Sequence, residues 1–202
     1  MSFLLSDKKA IFFHTPKTGG LSIDQYLIDN TVGVVFGWHR PPWNAVKWNL
    51  ISEKVAESWW KFAFVRNPWS HVVSVWEYRA EHKSDRHHRT KTFTQFIRWH
   101  YDRRPLKAVP ELDVAMFPHS HFIYNEEFPK LEINHICRFE NLQEDFNNVC
   151  KLLDIPVGKL DHINRARKYG IYPEYPTYYT EELQLMVAEL YQEDIERFGY
   201  KF

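Results

Sequence analysis

The sequence contains few cysteines, no excess of charge of either sign and no long apolar run. Its 202 residues include only two cysteines, Cys137 and Cys150, which stand at no metal-ligand spacing. A disulfide framework is therefore excluded as the organising principle, and reduced cytosolic thiols are expected. Lys plus Arg and Asp plus Glu both number 26, so the chain has no net field that would attract nucleic acid or anionic lipid. Any anion must bind at a local site.

The N-terminal segment lacks the features of a signal peptide or a membrane span. It reads MSFLLSDKKAIFF, and its apolar run is short and interrupted by Asp7, Lys8 and Lys9. We therefore expect a soluble cytoplasmic protein without a membrane partner. The hydrophobic content of 44% is ordinary for a globular protein, and the length suits one continuous core. A single domain over residues 1–202 is expected.

Patterns typical of strands and helices alternate along the chain. Short apolar runs predict strands over residues 9–13, 32–36, 62–66, 121–124 and 133–139. Helical spacing and capping residues predict helices over about residues 20–30, 44–57, 68–81, 93–101, 142–153 and 180–199. The polar stretch 79–91 is predicted to be an exposed loop. This alternation predicts an α/β fold of three layers, with a mostly parallel central sheet flanked by helices and ligands at the carboxyl ends of the strands.

The segment between the first predicted strand and helix has the composition of an anion-binding turn. It reads His14-Thr15-Pro16-Lys17-Thr18-Gly19-Gly20-Leu21-Ser22. The unpaired N–H groups and the dipole at a helix start favour an anion, and glycines let a phosphate approach the backbone. A nucleoside triphosphatase would instead place its lysine after the glycines, with a hydroxyl residue directly beyond it. Taken alone, the segment also fits a lysine-bearing turn without a ligand.

A second segment of the same kind follows another predicted strand. It reads Arg66-Asn67-Pro68-Trp69-Ser70-His71-Val72-Val73-Ser74. Arg66 lies at the carboxyl end of the strand, and Ser74 lies about two turns into a helix that Asn67 is able to cap. A guanidinium fork and a hydroxyl donor together suit a terminal phosphate. Two such sites on neighbouring strand-helix units fit a ligand with phosphates at two separate ribose positions.

The two segments resemble those of sulfotransferases that use 3'-phosphoadenosine 5'-phosphosulfate (PAPS). In that family a P-K-T-G-G turn holds the 5'-phosphosulfate, and an R-N-P-x-x-R-x-x-S segment holds the 3'-phosphate. The chain is most similar to the carbohydrate-type branch (sulfotransferase family 2-like), through the runs FAFVRNPW, RFENL, YYT and FGY at 62–69, 138–142, 178–180 and 198–200. The resemblance covers nearly the whole chain and implies a P-loop-like sulfotransferase fold. One departure is His71, which stands where the family pattern usually has arginine.

The resemblance also implies a role for each matching residue. Lys17 would bind the 5'-phosphate and the bridging oxygen and act as the catalytic cation. The backbone amides of the turn would complete the cradle: Thr18, Gly19, Gly20, Leu21 and Ser22. The hydroxyls of Thr18 and Ser22 are candidates for further contacts. Arg66 and Ser74 would hold the 3'-phosphate.

Sulfuryl transfer by in-line displacement also needs a base for the acceptor hydroxyl, and His39 is the candidate. It ends the second predicted strand, which is expected beside the first, and it matches a histidine that relatives carry before their next helix. An imidazole there is able to titrate near neutrality. The alternative is a loop histidine packed in an aromatic turn. His14, just before the phosphate turn, is expected to pack or to bond the loop backbone.

The sequence also bears on metal binding, on the acceptor and on other functions. His87-His88 and His119-Ser120-His121 have no companion ligand at a recognisable spacing, so no metal is predicted. The acceptor is expected to be a carbohydrate or another small molecule, by resemblance alone. Two other classes stay open: a P-loop phosphotransferase, and a non-catalytic module that binds the desulfonated nucleotide, 3'-phosphoadenosine 5'-phosphate (PAP).

Overall fold

A computed structural model describes residues 1–30, 32–82, 92–104, 114–161 and 174–202. The chain divides into two compact units, Met1–Arg66 with His119–Ile163 and Asn67–Pro118 with Asn164–Phe202. Most of the exposed loop predicted at 79–91, including His87-His88, lies outside the described residues. The expected single domain stays a prediction.

The first unit is built on a mixed β-sheet. The described part of the chain contributes these strands to it: β1 (Ser2–Leu5), β2 (Ala10–Phe12), β3 (Val34–Gly37), β4 (Trp60–Val65) and β5 (His135–Arg138). Their order across the sheet is β3-β1-β2-β4-β5. β1 pairs antiparallel with β2 and with β3. β4 pairs parallel with β2 and with β5.

The fold is of the α/β class, as expected. Its sheet is mixed rather than mostly parallel, because the N-terminal segment forms a β-hairpin. The apolar run at the start of the chain is strand β1, which the sequence pattern did not predict. A 3-10 turn over Ser6–Lys8 and a left-handed Lys9 (φ 48°) reverse the chain into β2. β1 then lies between β2 and β3, which were expected to be neighbours.

Aromatic side chains from β2 and β4 form the centre of the first unit's core. Phe12 and Phe62 lie with ring centroids 5.1 Å apart. They pack with helices α1 (Gly20–Asp29) and α7 (Leu142–Leu152), which contribute these buried residues: Ile23, Leu27, Phe146, Val149 and Cys150. Burying one such side chain is worth about 1.5–3 kcal/mol. Cys137 and Cys150 are free and buried in this core, and burial raises the pKa of their thiols to about 12 and about 11.

Two predicted elements of the first unit have a different secondary structure. The predicted helix over 44–57 is two short helices, α2 (Pro42–Lys47) and α3 (Glu53–Ser58), because Asn49 between them is left-handed, with φ 56°. The predicted strand over 121–124 is wrong, since Ser120–Ile123 forms the short helix α6. Its two buried apolar residues fit a strand or a helix turn equally well, so the pattern was ambiguous.

The described part of the second unit contains helices and no strand. It contains α4 (Pro68–His82), α5 (Phe93–Tyr101), α8 (Glu181–Leu190) and α9 (Gln192–Phe198). Their buried side chains form a separate core that includes Trp69, Val72, Phe96, Leu183 and Tyr191. Among the described residues of both units, no helix is long and apolar enough to cross a membrane.

Polar side chains cap three helices of the second unit, α4, α5 and α8. The Asn67 side-chain oxygen accepts from the backbone N–H groups of Trp69 and Ser70 at 3.0 and 3.3 Å, which confirms the predicted cap of α4. Thr92 caps α5 with a capping box, and Thr180 caps α8. The predicted last helix is interrupted at Tyr191 and therefore forms α8 and α9. α4 extends to His82, past the start of the predicted loop.

Candidate functional site

The turn between β2 and α1 has a backbone shape that suits an anion. Lys17 and Gly19 have positive φ angles of 61° and 75°, whereas Thr18 between them does not. Residues of alternating handedness direct successive backbone N–H groups to one side, which makes a small concave donor site. α1 begins at Gly20 with no side-chain cap and no acidic residue in its first turn. The amides and the positive end of α1 therefore favour a negatively charged ligand here.

Hydroxyl and amide groups stabilise this turn from inside. The Thr15 hydroxyl donates to the Phe64 carbonyl of β4, and the Thr18 hydroxyl donates to the Thr15 carbonyl at 2.9 Å. The backbone N–H of Ser22 donates to the Gly19 carbonyl at 3.0 Å. The Thr18 and Ser22 side chains are buried. The Thr18 hydroxyl thus maintains the turn itself, and the predicted phosphate contacts of both hydroxyls stay predictions.

The two glycines of the turn are required by packing as well as by any ligand. A Cβ on Gly20 would lie 2.2 Å from the His14 Nε2 atom. A Cβ on Gly19 would lie 2.7 Å from Leu142 Cδ2 and 3.3 Å from the Phe139 ring. The next residue, Leu21, is half-buried in the first turn of α1. Neighbouring side chains therefore lie too close to Gly19 and to Gly20 for a Cβ atom at either position.

Replacing Gly20 with alanine is expected to destabilise the protein by about 1–3 kcal/mol, because the new methyl group overlaps the buried His14 ring. The measurement is the urea concentration at the midpoint of unfolding, compared between proteins whose free energy of unfolding depends on urea with the same slope. Gly37→Ala is the matched control, since its Cβ would meet only Leu50 Cδ1, at 3.5 Å, an ordinary contact. Equal midpoints for Gly20→Ala and Gly37→Ala would contradict the packing of His14 described here.

Arg66 lies directly after β4, at the strand end that the sequence predicted. Its guanidinium Nη1 donates to the Lys17 carbonyl at 3.1 Å. The guanidinium also lies over the Phe139 ring, with Cζ 4.0 Å from the ring centroid. The structure therefore brings the Arg66 side chain to the backbone of Lys17, beyond the carboxyl ends of the neighbouring strands β2 and β4 of the first unit. Their contacts with a ligand stay predictions.

His39 lies two residues after β3 and is half-buried. Its Nδ1 lies 3.0 Å from the His14 carbonyl, which only accepts hydrogen bonds, so Nδ1 carries the proton. Nε2 is left with its lone pair. Burial, helped by the neighbouring His14 side chain, lowers the pKa of His39 to about 4. The ring is therefore neutral at pH 7 and able to accept a proton at Nε2.

His39 lies next to a buried pair of side chains, His14 and Asp24, that the sequence did not reveal. The His14 ring is 4.6 Å from the His39 ring, centroid to centroid, and nearly perpendicular to it. The His14 Nδ1 is 3.1 Å from the Asp24 carboxylate, and both side chains are buried. Burial lowers the pKa of His14. The sequence offered one signal for this pair, because Asp24 lies beside Ile23 on the apolar face of α1. An acid that is buried is almost always paired.

His119 and Phe139 are two further residues of this region that sequence reasoning missed. The His119 Nε2 lies 3.1 Å from the Pro16 carbonyl, and its Nδ1 accepts from the Arg66 backbone N–H at 3.2 Å. Phe139 underlies the Arg66 guanidinium, as described above. Phe139 had a signal in the RFENL run of the resemblance. His119 had none, because its partners are distant in sequence.

The comparison with protein families agrees with this geometry. A model described as the sulfotransferase family matches residues 2–201. The chain belongs to the sulfotransferase family. The resemblance stated from the sequence, to sulfotransferase family 2, is confirmed, and membership supports sulfuryl transfer by a transferase enzyme. No curated protein and no solved structure matches the chain.

Ser74 and His71, which the sulfotransferase pattern also singles out, lie on α4 in the second unit. Ser74 is half-buried, and its predicted hold on the 3'-phosphate stays a prediction. His71, which replaces the usual arginine of the family, is 1% exposed. Its ring lies 5.8 Å from the ring of Tyr191, whose hydroxyl donates to the Met116 carbonyl at 2.7 Å. His71 therefore packs inside the helical core of this sulfotransferase.

The described residues contain no group of three or more His, Cys, Asp or Glu side chains that could hold a metal ion. In the His119-Ser120-His121 run, His119 bonds backbone groups of the turn and of the end of β4. The predicted absence of a metal from this sulfotransferase stays a prediction.

Proposed function

We propose that this protein transfers the sulfonate group of PAPS to a hydroxyl group of a carbohydrate or another small molecule. The observation that carries the proposal is the hydrogen bond between the Arg66 guanidinium and the Lys17 carbonyl, at 3.1 Å. It unites a lysine-bearing amide turn with an arginine at the end of the neighbouring parallel strand. Two cationic residues beyond the ends of neighbouring strands suit a ligand with two separate phosphate groups.

The donor set of the turn fits the 5' end of this nucleotide. Lys17 supplies a compact positive charge, and the alternating backbone at Lys17, Thr18 and Gly19 directs N–H groups to one side. The amides of Gly20 and Leu21 at the start of α1 extend the same donor site. Arg66 would hold the 3'-phosphate together with Ser74, as the family pattern implies.

PAPS supplies an activated sulfonate whose leaving group is PAP. As the acceptor oxygen forms its bond to sulfur, the bond from sulfur to the 5'-phosphate oxygen breaks. His39 takes the hydroxyl proton at Nε2, the nitrogen that its hydrogen bond to the His14 carbonyl leaves unprotonated. Lys17 neutralises the charge that develops on the departing phosphate. No metal is needed for this balance of charge.

An exposed tryptophan beside the proposed base supports a sugar or another flat acceptor. The Trp38 side chain is 58% exposed, and its ring centroid lies 6.4 Å from that of His39. An exposed indole face costs free energy in water and is suited to stacking against an apolar face of a ligand. The acceptor hydroxyl would then approach His39 from this side of the first unit.

Calorimetry with PAP followed by a transfer assay tests the proposed function. We expect PAP to bind to the wild-type protein, and we expect PAPS labelled in its sulfonate to transfer label to one member of a library of sugars and small hydroxyl compounds. Binding of PAP without any transfer would favour the non-catalytic module instead. Turnover of magnesium ATP without PAP binding would favour the phosphotransferase. Absence of PAP binding would overturn the proposal.

A further inference from the structure

His119 is a buried histidine that contacts both anion-binding segments of the first unit. It lies at the N-cap position of α6, and its side chain is 1% exposed. One ring nitrogen bonds the turn before α1, through the Pro16 carbonyl at 3.1 Å. The other bonds the segment after β4, through the Arg66 backbone N–H at 3.2 Å. The imidazole therefore spans the two segments that carry Lys17 and Arg66.

The two backbone partners determine the tautomer of His119. A backbone N–H only donates and a carbonyl only accepts, so Nδ1 must be the acceptor and Nε2 must carry the proton. Both ring nitrogens are satisfied only in this neutral form. Burial first, and then the nearby Arg66 charge, lower the pKa of His119 to about 4, which keeps the ring neutral at pH 7.

The contacts of His119 are with backbone atoms that lie just beyond strands β2 and β4. The pairing of β4 with β5 ends at Val65, and the backbone N–H of the next residue, Arg66, donates to His119. The Pro16 carbonyl belongs to the turn that follows β2. The bond from Arg66 to the Lys17 carbonyl uses the guanidinium, the group that would also hold a phosphate. The bonds of His119 do not involve the guanidinium.

We propose that His119 is a positioning residue of the nucleotide site, which holds the turn of Lys17 and the strand end of Arg66 at a constant separation. This inference rests on the proposed function, because it assumes that both segments hold one nucleotide. A ligand with phosphates at two ends binds tightly only if its two sites are already correctly spaced. His119 supplies that spacing before the ligand arrives.

The test compares PAP affinity among variants of the full chain by calorimetry, with thermal unfolding of each. His119→Phe keeps an aromatic ring and removes both hydrogen bonds. His119→Gln restores one donor and one acceptor. His100→Phe is the matched control, since His100 is a buried histidine of the second unit whose Nδ1 bonds the Phe96 carbonyl of its own helix. Arg66→Ala alone and combined with His119→Phe completes a double-mutant cycle.

We expect His119→Phe to weaken PAP binding roughly tenfold to a hundredfold, the range for a displaced binding group. We expect His119→Gln to recover most of that loss and His100→Phe to bind like the wild type. In the Arg66→Ala background, His119→Phe should add much less, because part of its effect acts through Arg66. A spectroscopic check is the ¹⁵N shift pattern of a neutral, Nε2-protonated histidine that disappears in His119→Phe.

Two outcomes would overturn the inference while leaving the proposed function intact. One is a His119→Phe protein that unfolds at a lower temperature but binds PAP within about twofold of the wild type. The other is an equal loss of affinity in the presence and absence of Arg66. If His119→Phe does not fold, His119→Asn replaces it, because the shorter side chain of asparagine cannot reach both partners. A PAP affinity of His119→Asn equal to that of His119→Gln would then contradict the inference. A wild-type protein that does not bind PAP would instead remove the proposed function, and this inference with it.

Discussion

Replacing His39 with alanine is expected to lower kcat by about 10²- to 10⁴-fold, the usual contribution of a general base. We expect the lower end of that range, because a pKa of about 4 makes His39 a weaker base than an ordinary imidazole. PAP affinity should change little, since the Nε2 atom acts on the acceptor and not on the nucleotide. The measurements are kcat with the acceptor that the transfer assay identifies and the Kd for PAP.

The acid side of the pH profile gives a second test of His39. The base must be neutral, and burial depresses its pKa to about 4, so kcat/KM is expected to stay level as pH falls through 6.5 and to decrease only as pH approaches about 4. The parameter kcat/KM is the appropriate one because it reports ionisations of the free enzyme. The titratable groups that act on His39 are the His14 ring, the N-terminal ammonium of Met1 and the Asp24 carboxylate.

His135→Ala is the matched control for His39→Ala. His135 is also half-buried in the first unit, where its ring contacts Trp60 with centroids 5.1 Å apart. It lies at the start of β5, and Arg138 lies at the other end of that strand. It should retain wild-type kcat. A His39→Ala enzyme with normal kcat and weakened PAP binding would show that His39 is structural. An acid limb near the ordinary imidazole value of 6.5 would contradict the buried position of the ring.

Replacing Lys17 with methionine is the second change with a large expected effect, a loss of about 10²- to 10³-fold in kcat. The ammonium group lies next to the leaving phosphate in the proposed mechanism, where charge develops as the bond to sulfur breaks. PAP binding should also weaken, because the product carries the same 5'-phosphate. Methionine preserves the length of the side chain and the strain of a non-glycine residue at φ 61°, so the change isolates the charge.

Lys54→Met provides the control for the loss of one positive charge. Lys54 is exposed on α3 in the same unit, and its replacement should leave both kcat and PAP affinity unchanged. If Lys17→Met retained full kcat, the proposed neutralisation of the leaving group by Lys17 would be wrong. If both variants lost affinity equally, the effect of Lys17 would be one of net charge and not of position.

The elements predicted well are those whose signals are local in sequence. α5 was predicted at Phe93–Tyr101 and lies there, because Thr92 and Gln95 form a capping box four residues wide. Asn67 caps α4 as expected, since a cap needs only the next turn of backbone. The turn at Lys17 follows from Pro16 and the two glycines, which limit the backbone conformations available.

The elements predicted poorly depend on partners far along the chain. A short, mostly apolar segment such as Ser2–Leu5 does not indicate which strands it will pair with. The position of β1 between β2 and β3 is determined by tertiary packing. The same holds for Ser120–Ile123, whose short apolar run fits either structure. The burial of His71 against Tyr191 likewise depends on two helices that are distant in sequence.

The sequence by itself determined the family, the α/β class and the two segments that carry Lys17 and Arg66, because glycines, prolines and helix caps act over a few residues. Only the tertiary structure decided the mixed order of the strands, the neutral tautomer of His39 and the contacts of His119. His119 lies 103 positions from Pro16 and 53 from Arg66. Hydrogen bonds over such separations exist only after the sheet and its helices have packed, so no local pattern encodes them.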